Sequence, residues 1–244
     1  MIDHARAQRS LLAVWEQGAR ERQGRRALTL SAAAAPAARA EDDPSAATIG
    51  CRDAALLDLR EQLFGRGFTA VSSCPSCRQE IELAFDIAEV RRGLSDVVRA
   101  DIHAGGVNVQ FRLPTGLDLA AIESAPDVES ARALLLARCV ERAARNEVAL
   151  AVDDLPPEIL DATTSRMCEL DPQADVALDV ECPSCRHAWR EPFDIVSYLW
   201  SEIAVWARRL LDDVHVLAST YGWTEDDILR LTPARRHAYL EMIR

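Results

Sequence analysis

Cys74-Pro75-Ser76-Cys77-Arg78 returns letter for letter as Cys182-Pro183-Ser184-Cys185-Arg186, and Phe85-Asp86-Ile87 returns at the same offset as Phe193-Asp194-Ile195. Aligned without a gap, 8 of the 14 positions are identical, which marks an internal repeat and not a coincidence of composition. Each copy sets two thiols on one short turn, half the ligands of a tetrahedral metal site. Zinc takes four ligands in a structural site and favours thiolate. The two halves together therefore predict one closed site, Cys74, Cys77, Cys182 and Cys185, holding one Zn2+ per chain.

The flanks support that reading. Phe68 and Val71 precede the first copy, and Ile81, Leu83 and Phe85 alternate with polar residues after it. Val176, Leu178 and Val180 precede the second, and Ala188, Trp189 and Phe193 follow it. Strand-period alternation on both sides of a C-P-x-C turn predicts zinc-ribbon hairpins. Such turns usually carry glycine after the second Cys, where the backbone often sits at positive φ. Here the residues are Arg78 and Arg186. A left-handed conformation costs a non-glycine residue about 1–2 kcal/mol. Metal binding, roughly 10–16 kcal/mol in zinc-finger peptides, absorbs that.

Two other chemistries use the same spelling. Thiol-redox proteins contain C-P-x-C, but there the first Cys opens a helix that lowers its pKa, whereas the residues here alternate as a strand. Disulfides belong to oxidising compartments, and Met1-Ile2-Asp3-His4-Ala5-Arg6 lacks the apolar stretch of a secretion signal. His187, two residues beyond Cys185, is an alternative ligand, with exposure on the hairpin the preferred reading. Cys51, Cys139 and Cys168 are scattered singly and read as small buried hydrophobes.

The 244 residues, 49% hydrophobic, allow one large or two small domains. No run of about 18 apolar residues exists to span a membrane, and the expected location is cytoplasmic. The formal charge is −11 and all 28 basic residues are arginine. That balance weighs against non-specific nucleic-acid binding, which is driven by phosphate neutralisation. The first 30 residues run the other way, with Arg6, Arg9, Arg20, Arg22, Arg25 and Arg26 against three acidic residues. A solvated helix face or an acidic partner explains that patch better than DNA.

The chain divides into residues 1–48, an N-terminal helix and Ala/Pro-rich linker; 49–192, a mixed region with both cysteine turns; and 193–244, a C-terminal helical region. Leu11, Leu12, Trp15 and Ala19 predict a helix over Ser10–Gln23, and residues 32–47 a helix end and linker. Ile49–Phe64 reads as a helix stopped by Gly65. Val97–Leu113 reads as a hairpin around Ala104-Gly105-Gly106. Thr115 is placed to cap a helix from about Leu117, a longer helix is expected over Val128–Arg145, and Pro156-Pro157 opens another. Between Phe193 and Tyr221 apolar residues step by three and four, the longest helix, ended by Gly222. Thr224 with Asp227, and Thr232-Pro233, cap short helices beyond it. The fold class is α+β: mainly helical, with zinc-ribbon hairpins and a small antiparallel β element.

Catalytic signatures are missing. No phosphate-binding glycine loop, H-E-x-x-H motif or nucleophile elbow occurs, and Asp86 and Asp194 read as helix caps before paired catalytic carboxylates. The chain reads as a non-enzyme with no small-molecule substrate.

Several stretches resemble one family. Ile49-Gly50-Cys51-Arg52-Asp53-Ala54-Ala55-Leu56-Leu57, Phe111-Arg112-Leu113-Pro114-Thr115 with Asp118-Leu119, and Leu134-Leu135-Leu136-Ala137-Arg138-Cys139 carry the likeness. So do Leu199-Trp200-Ser201-Glu202-Ile203 and Tyr221-Gly222-Trp223 with Arg235-Arg236 and Tyr239-Leu240. In that order they are similar to proteins classed with the T4-type phage baseplate hub subunit and chaperone, in contractile tails and injection systems. The resemblance implies an assembly role, with baseplate or tail-assembly proteins as partners. Trp223, Arg235, Arg236 and Tyr239 are the expected partner-binding residues, being of types enriched at interface hot spots. The alternative function is a zinc-ribbon nucleic-acid-binding or transcription-associated module.

Overall fold

The structure, a computed structural model, describes residues 4–34 and 46–243. Most of the linker read at 32–47 lies outside them. Along the chain run α1 (His4–Gly18), α2 (Gln23–Ala34), α3 (Ile49–Phe64), β1 (Gly67–Ser73), β2 (Glu80–Asp86), α4 (Ile87–Val90), β3 (Arg99–Ala104), β4 (Val107–Arg112), α5 (Gly116–Ile122) and α6 (Val128–Cys139). Then follow β5 (Val140–Arg145), β6 (Val148–Ala149), α7 (Pro157–Leu170), β7 (Ala177–Glu181), β8 (Ala188–Pro192), α8 (Ile195–Tyr221), α9 (Glu225–Leu229) and α10 (Pro233–Glu241). The fold is α+β, mainly helical with small antiparallel sheets. It divides into a helical unit, Met1–Ala33 with Val196–Arg244, and a mixed unit, Ala34–Ile195.

Local chemistry sets most boundaries in the mixed unit. The Thr48 hydroxyl accepts from the Cys51 amide at the head of α3, and Gly65, at φ 87°, ends it. Gly105 and Gly106, at φ 56° and 74°, turn β3 into β4 in the two-residue positive-φ loop that matches strand twist. One expectation fails. The helix read over Val128–Arg145 stops at Cys139, and Val140–Arg145 is β5, paired with β4. Ala143 lies opposite Val109 and is buried with Val107, Leu155 and Ile159. That cross-strand burial overrides a weak helix preference. Asn146 and Glu147, both at positive φ, turn the chain into β6.

The four strands form one antiparallel sheet in the order β3-β4-β5-β6. Phe111 and Leu113, at the end of β4 and just beyond, pack with Leu136 and Cys139 of α6 and Met167 of α7. Asp118 locks this corner. Only 1% of its side chain is exposed, and it accepts from both Arg112 Nη atoms at 2.6 and 2.9 Å, from Arg138 Nε at 2.8 Å and from the Thr115 amide and hydroxyl at 2.9 Å each. Burial pushes its pKa up, but these five bonds outweigh it and hold the carboxyl below its ordinary value. Asp118→Asn turns an amide toward two guanidinium groups and should cost about 3 kcal/mol, measured by chemical denaturation. Because the folded pKa is depressed, the stabilisation is complete above the ordinary carboxylate value of 3.8. It should disappear as pH falls below that, while the Asn variant lacks this slope.

In the helical unit, the helix expected over Ser10–Gln23 starts earlier, at His4, and stops at Gly18, and a turn leads into α2 from Gln23. Leu12 of α1 packs with Ala207 and Leu210 of α8 and Leu229 of α9, and Arg9 pairs with Asp226 at 2.7 Å. Gly222, at φ 69°, ends α8. Thr224 and Thr232 accept from the amides of Asp227 and Arg235 as caps of α9 and α10. No helix among the described residues is long and apolar enough to cross a membrane.

Candidate metal centre

β1–β2 and β7–β8 are separate two-stranded hairpins whose connecting turns hold the repeated cysteines. Both turns fold alike. The Arg78 amide donates to the Cys74 carbonyl at 2.8 Å and the Arg186 amide to the Cys182 carbonyl at 2.9 Å. The Cys74 and Cys182 amides donate to the Gln79 and His187 carbonyls, each at 2.9 Å. Arg78 and Arg186 both sit at φ 61°, the left-handed position where glycine is usual. Two arginines hold a conformation costing each about 1–2 kcal/mol, so the turn geometry is imposed by its surroundings.

The four sulfurs converge. All lie within 4.8 Å of one another. Cys74 Sγ is 3.6 Å from Cys185 Sγ, and Cys77 Sγ is 3.6 Å from Cys182 Sγ, so each close pair takes one sulfur from each hairpin. A tetrahedron of sulfurs about 2.3 Å from a central ion has edges of about 3.8 Å. Disulfide sulfurs would be about 2.05 Å apart, and all four cysteines are free. Cys74 and Cys182 are buried, whereas Cys77 and Cys185 face solvent. The donor set and spacing fit a tetrahedral thiolate ion.

The electrostatics point the same way. Burial raises the Cys74 pKa, but the amides of Cys77 and Ser76 and the Cys185 thiol outweigh it and bring it below the usual value. The Cys185 amide is the largest influence on Cys182, and with the Ser184 amide it lowers that thiol to about 7 against the cost of burial. At Cys77 the Gln79 amide favours the thiolate, yet the Cys185 thiol, burial and the other two thiols push it up to about 12. Four sulfurs this close cannot all ionise without a cation among them. With one, four thiolates complete a tetrahedron and leave no open position for a substrate, the arrangement of a structural site.

Further along, other contacts join the hairpins. Ser72 Oγ donates to Glu191 Oε2 at 2.7 Å, and Trp189 Nε1 donates to the same oxygen at 2.8 Å. At the far end Phe68 stacks on Phe85, centroids 5.0 Å apart, and the Phe193 ring meets both edge-on at 5.5 and 5.7 Å. Phe85 and Phe193 are equivalent positions of the repeat. Asp86 caps α4 in a box with Glu89, as expected. His187 is exposed, stacked on Trp189, and outside the sulfur cluster. Of the single cysteines, Cys139 is buried, but Cys51 is half-buried and Cys168 exposed.

Two residues that matter here have roles that the neighbouring sequence does not indicate. Arg60, 2% exposed, donates to the Gly65 and Gly67 carbonyls, and its guanidinium lies 3.9 Å over the Phe68 ring, tying α3 to the first hairpin. Asp171, at the end of α7, accepts from the Gly50 amide at 2.9 Å at the head of α3.

The residues expected to bind partners split. Tyr221, Trp223 and Tyr239 form one aromatic cluster, with Trp223 4.7 Å from Tyr221 and 4.9 Å from Tyr239. Arg235 is exposed. Arg236 is buried, bonded through Nε to Asp213 at 3.0 Å and through Nη1 to Gln8 at 3.3 Å.

Paired cysteine hairpins in a mainly helical fold define a structural scaffold whose distant segments meet at one sulfur cluster. A family model described as T4 bacteriophage base plate protein matches residues 8–200, most of the chain, and the chain belongs to that family. Membership supports a structural or assembly role in a phage baseplate, with other baseplate or tail proteins as partners. Neither the curated proteins nor the solved structures contain a match.

Proposed function

We propose that this chain is a structural or chaperone-like assembly protein of a contractile phage tail or injection-system baseplate, stapled by one zinc ion at Cys74, Cys77, Cys182 and Cys185. The observation that carries the staple is the convergence of four sulfurs from two hairpins. Iron accepts the same four thiolates, so the measurement must identify the metal. Elemental analysis of purified protein should give about one equivalent of zinc per chain. Two equivalents would mean separate sites, and a coloured iron centre would replace zinc.

The baseplate role rests on family membership over residues 8–200. The partner-binding surface we assign to Trp223, Arg235 and Tyr239, with Arg236 acting from beneath through its bond to Asp213. Removing α9 would strip buried Ile228 and Leu229 from the helical unit, so point variants make the cleaner test. Arg235→Glu with Tyr239→Ala should lower incorporation into tails about tenfold or more, as loss of a hot-spot pair does, while the metal content stays unchanged. Normal tails from that variant would move the contact elsewhere on the chain.

A further inference from the structure

The turn between α1 and α2 spells Arg20-Glu21-Arg22-Gln23-Gly24-Arg25-Arg26, in a chain where acidic residues outnumber arginines 39 to 28. In such company some exposed guanidiniums, such as Arg142, Arg208 and Arg209, stay without a carboxylate among the described residues, and others find one. Arg9, Arg66, Arg99, Arg132 and Arg166 all do, at 2.5 to 3.1 Å. Arg20, Arg22 and Arg25 are exposed and have no ion-pair partner among the described residues. Glu21 is engaged by the Thr29 hydroxyl at 2.7 Å.

The turn is also firmly built. Arg26 donates from Nε to the Gly18 carbonyl at 3.1 Å and from Nη2 to the Glu21 carbonyl at 3.0 Å, and its guanidinium lies 4.3 Å over the Trp200 ring. Gln23 Nε2 donates to Ser197 Oγ at 3.0 Å. Gly18 packs so closely that a Cβ there would come 2.6 Å from Trp200. One arginine is thus spent inside the turn, and three project from a backbone that needs no ordering on binding. Charge is unevenly divided as well. The helical unit has 12 arginines against 10 acidic residues, +2, and the mixed unit 16 against 29, −13.

We propose that Arg20, Arg22 and Arg25 form a docking site for a carboxylate-rich protein surface, an inference that rests on the reading of this chain as a protein-binding assembly component. The planar guanidinium fork pairs bidentately with carboxylates, and a rim of such charges speeds and orients encounter. A nucleic acid fits less well. Three phosphate contacts give a log–log salt slope of only about −2.7, and the net charge of the chain, −11, disfavours a long polyanion.

The test uses the full chain, a fluorescent oligoglutamate peptide and a fluorescent duplex DNA, with binding read by anisotropy. The peptide should bind more tightly than the duplex, and added salt should weaken it. Arg20→Gln, Arg22→Gln and Arg25→Gln together should reduce peptide affinity about tenfold or more, whereas Arg208→Gln with Arg209→Gln, exposed on α8, should not. Circular dichroism should be unchanged in both variants, and Arg22→Gln alone should give a partial loss. Absence of peptide binding, or equal loss in both variants, overturns the site. Tighter DNA binding that disappears in the triple variant makes it a nucleic-acid surface. Incorporation into tails is a separate readout, so the baseplate reading can fail while this site stands, and the reverse.

Discussion

Cys182→Ser with Cys185→Ser, or removal of metal with a chelator, is expected to unfold the mixed unit as a whole and not merely loosen one hairpin. Cys74 and Cys185 are 111 residues apart in the chain, and the segment between them contains the four-stranded sheet and α4 to α7. A metal that binds only the native arrangement contributes its binding energy to folding, roughly 10–16 kcal/mol in zinc-finger peptides. Net stabilities of whole domains are only about 5–15 kcal/mol. Other ties between the hairpins, such as the Ser72–Glu191 hydrogen bond and the edge-on contacts of Phe193 with Phe68 and Phe85, are each worth only about 1 kcal/mol. Without the ion the cluster must also hold several protons, and two arginines stay in left-handed backbone with less to hold them there. Far-UV circular dichroism and the fluorescence of Trp189, the mixed unit's one tryptophan, should report the same lowered transition. A small local change with the main transition unmoved would show that the sulfurs are not a staple.

What the sequence makes legible is local. Gly65 and the apolar spacing before it are enough to read α3 and its end, and Gly105-Gly106 is enough to place the β3–β4 turn. The four cysteines are legible for a different reason: a repeat supplies two half-sites, and neither half can close a tetrahedron alone. Even the strained position of Arg78 and Arg186 follows from the turn type. What escapes reading depends on partners far along the chain. Val140–Arg145 continues the composition of the helix before it, and only pairing with β4 makes it a strand. Nothing near Arg236 indicates that Asp213 and Gln8 bury it. Likewise, no local signal brings α1 and α2 into one unit with the C-terminal helices, since their shared core is assembled from Leu12, Ala207, Leu210 and Leu229.

Gly50→Ala should be the most damaging conservative substitution in the mixed unit. In an exposed helix the change would help, because alanine is favoured over glycine by about 1 kcal/mol. Here a Cβ at residue 50 would lie 1.7 Å from Asp171 Oδ1, so the carboxylate has to leave. Asp171 is 4% exposed and accepts from the Gly50 amide at the N-terminus of α3, where the helix dipole favours an anion. Burial alone raises its pKa, opposed by the Gly50 amide and then the Thr48 hydroxyl, and alanine takes the first of these compensations away. A buried carboxylate losing its main partner costs several kcal/mol, and we expect a net loss of about 3 kcal/mol or more. The displaced group also separates the end of α7 from the head of α3, which hold together segments 121 residues apart. A double-mutant cycle separates this mechanism from a general intolerance of bulk. With Asp171→Ala already in place the obstruction is gone, so adding Gly50→Ala should cost little or even stabilise by up to about 1 kcal/mol. If Gly50→Ala is equally harmful in both backgrounds, the carboxylate is not what requires glycine at the head of α3.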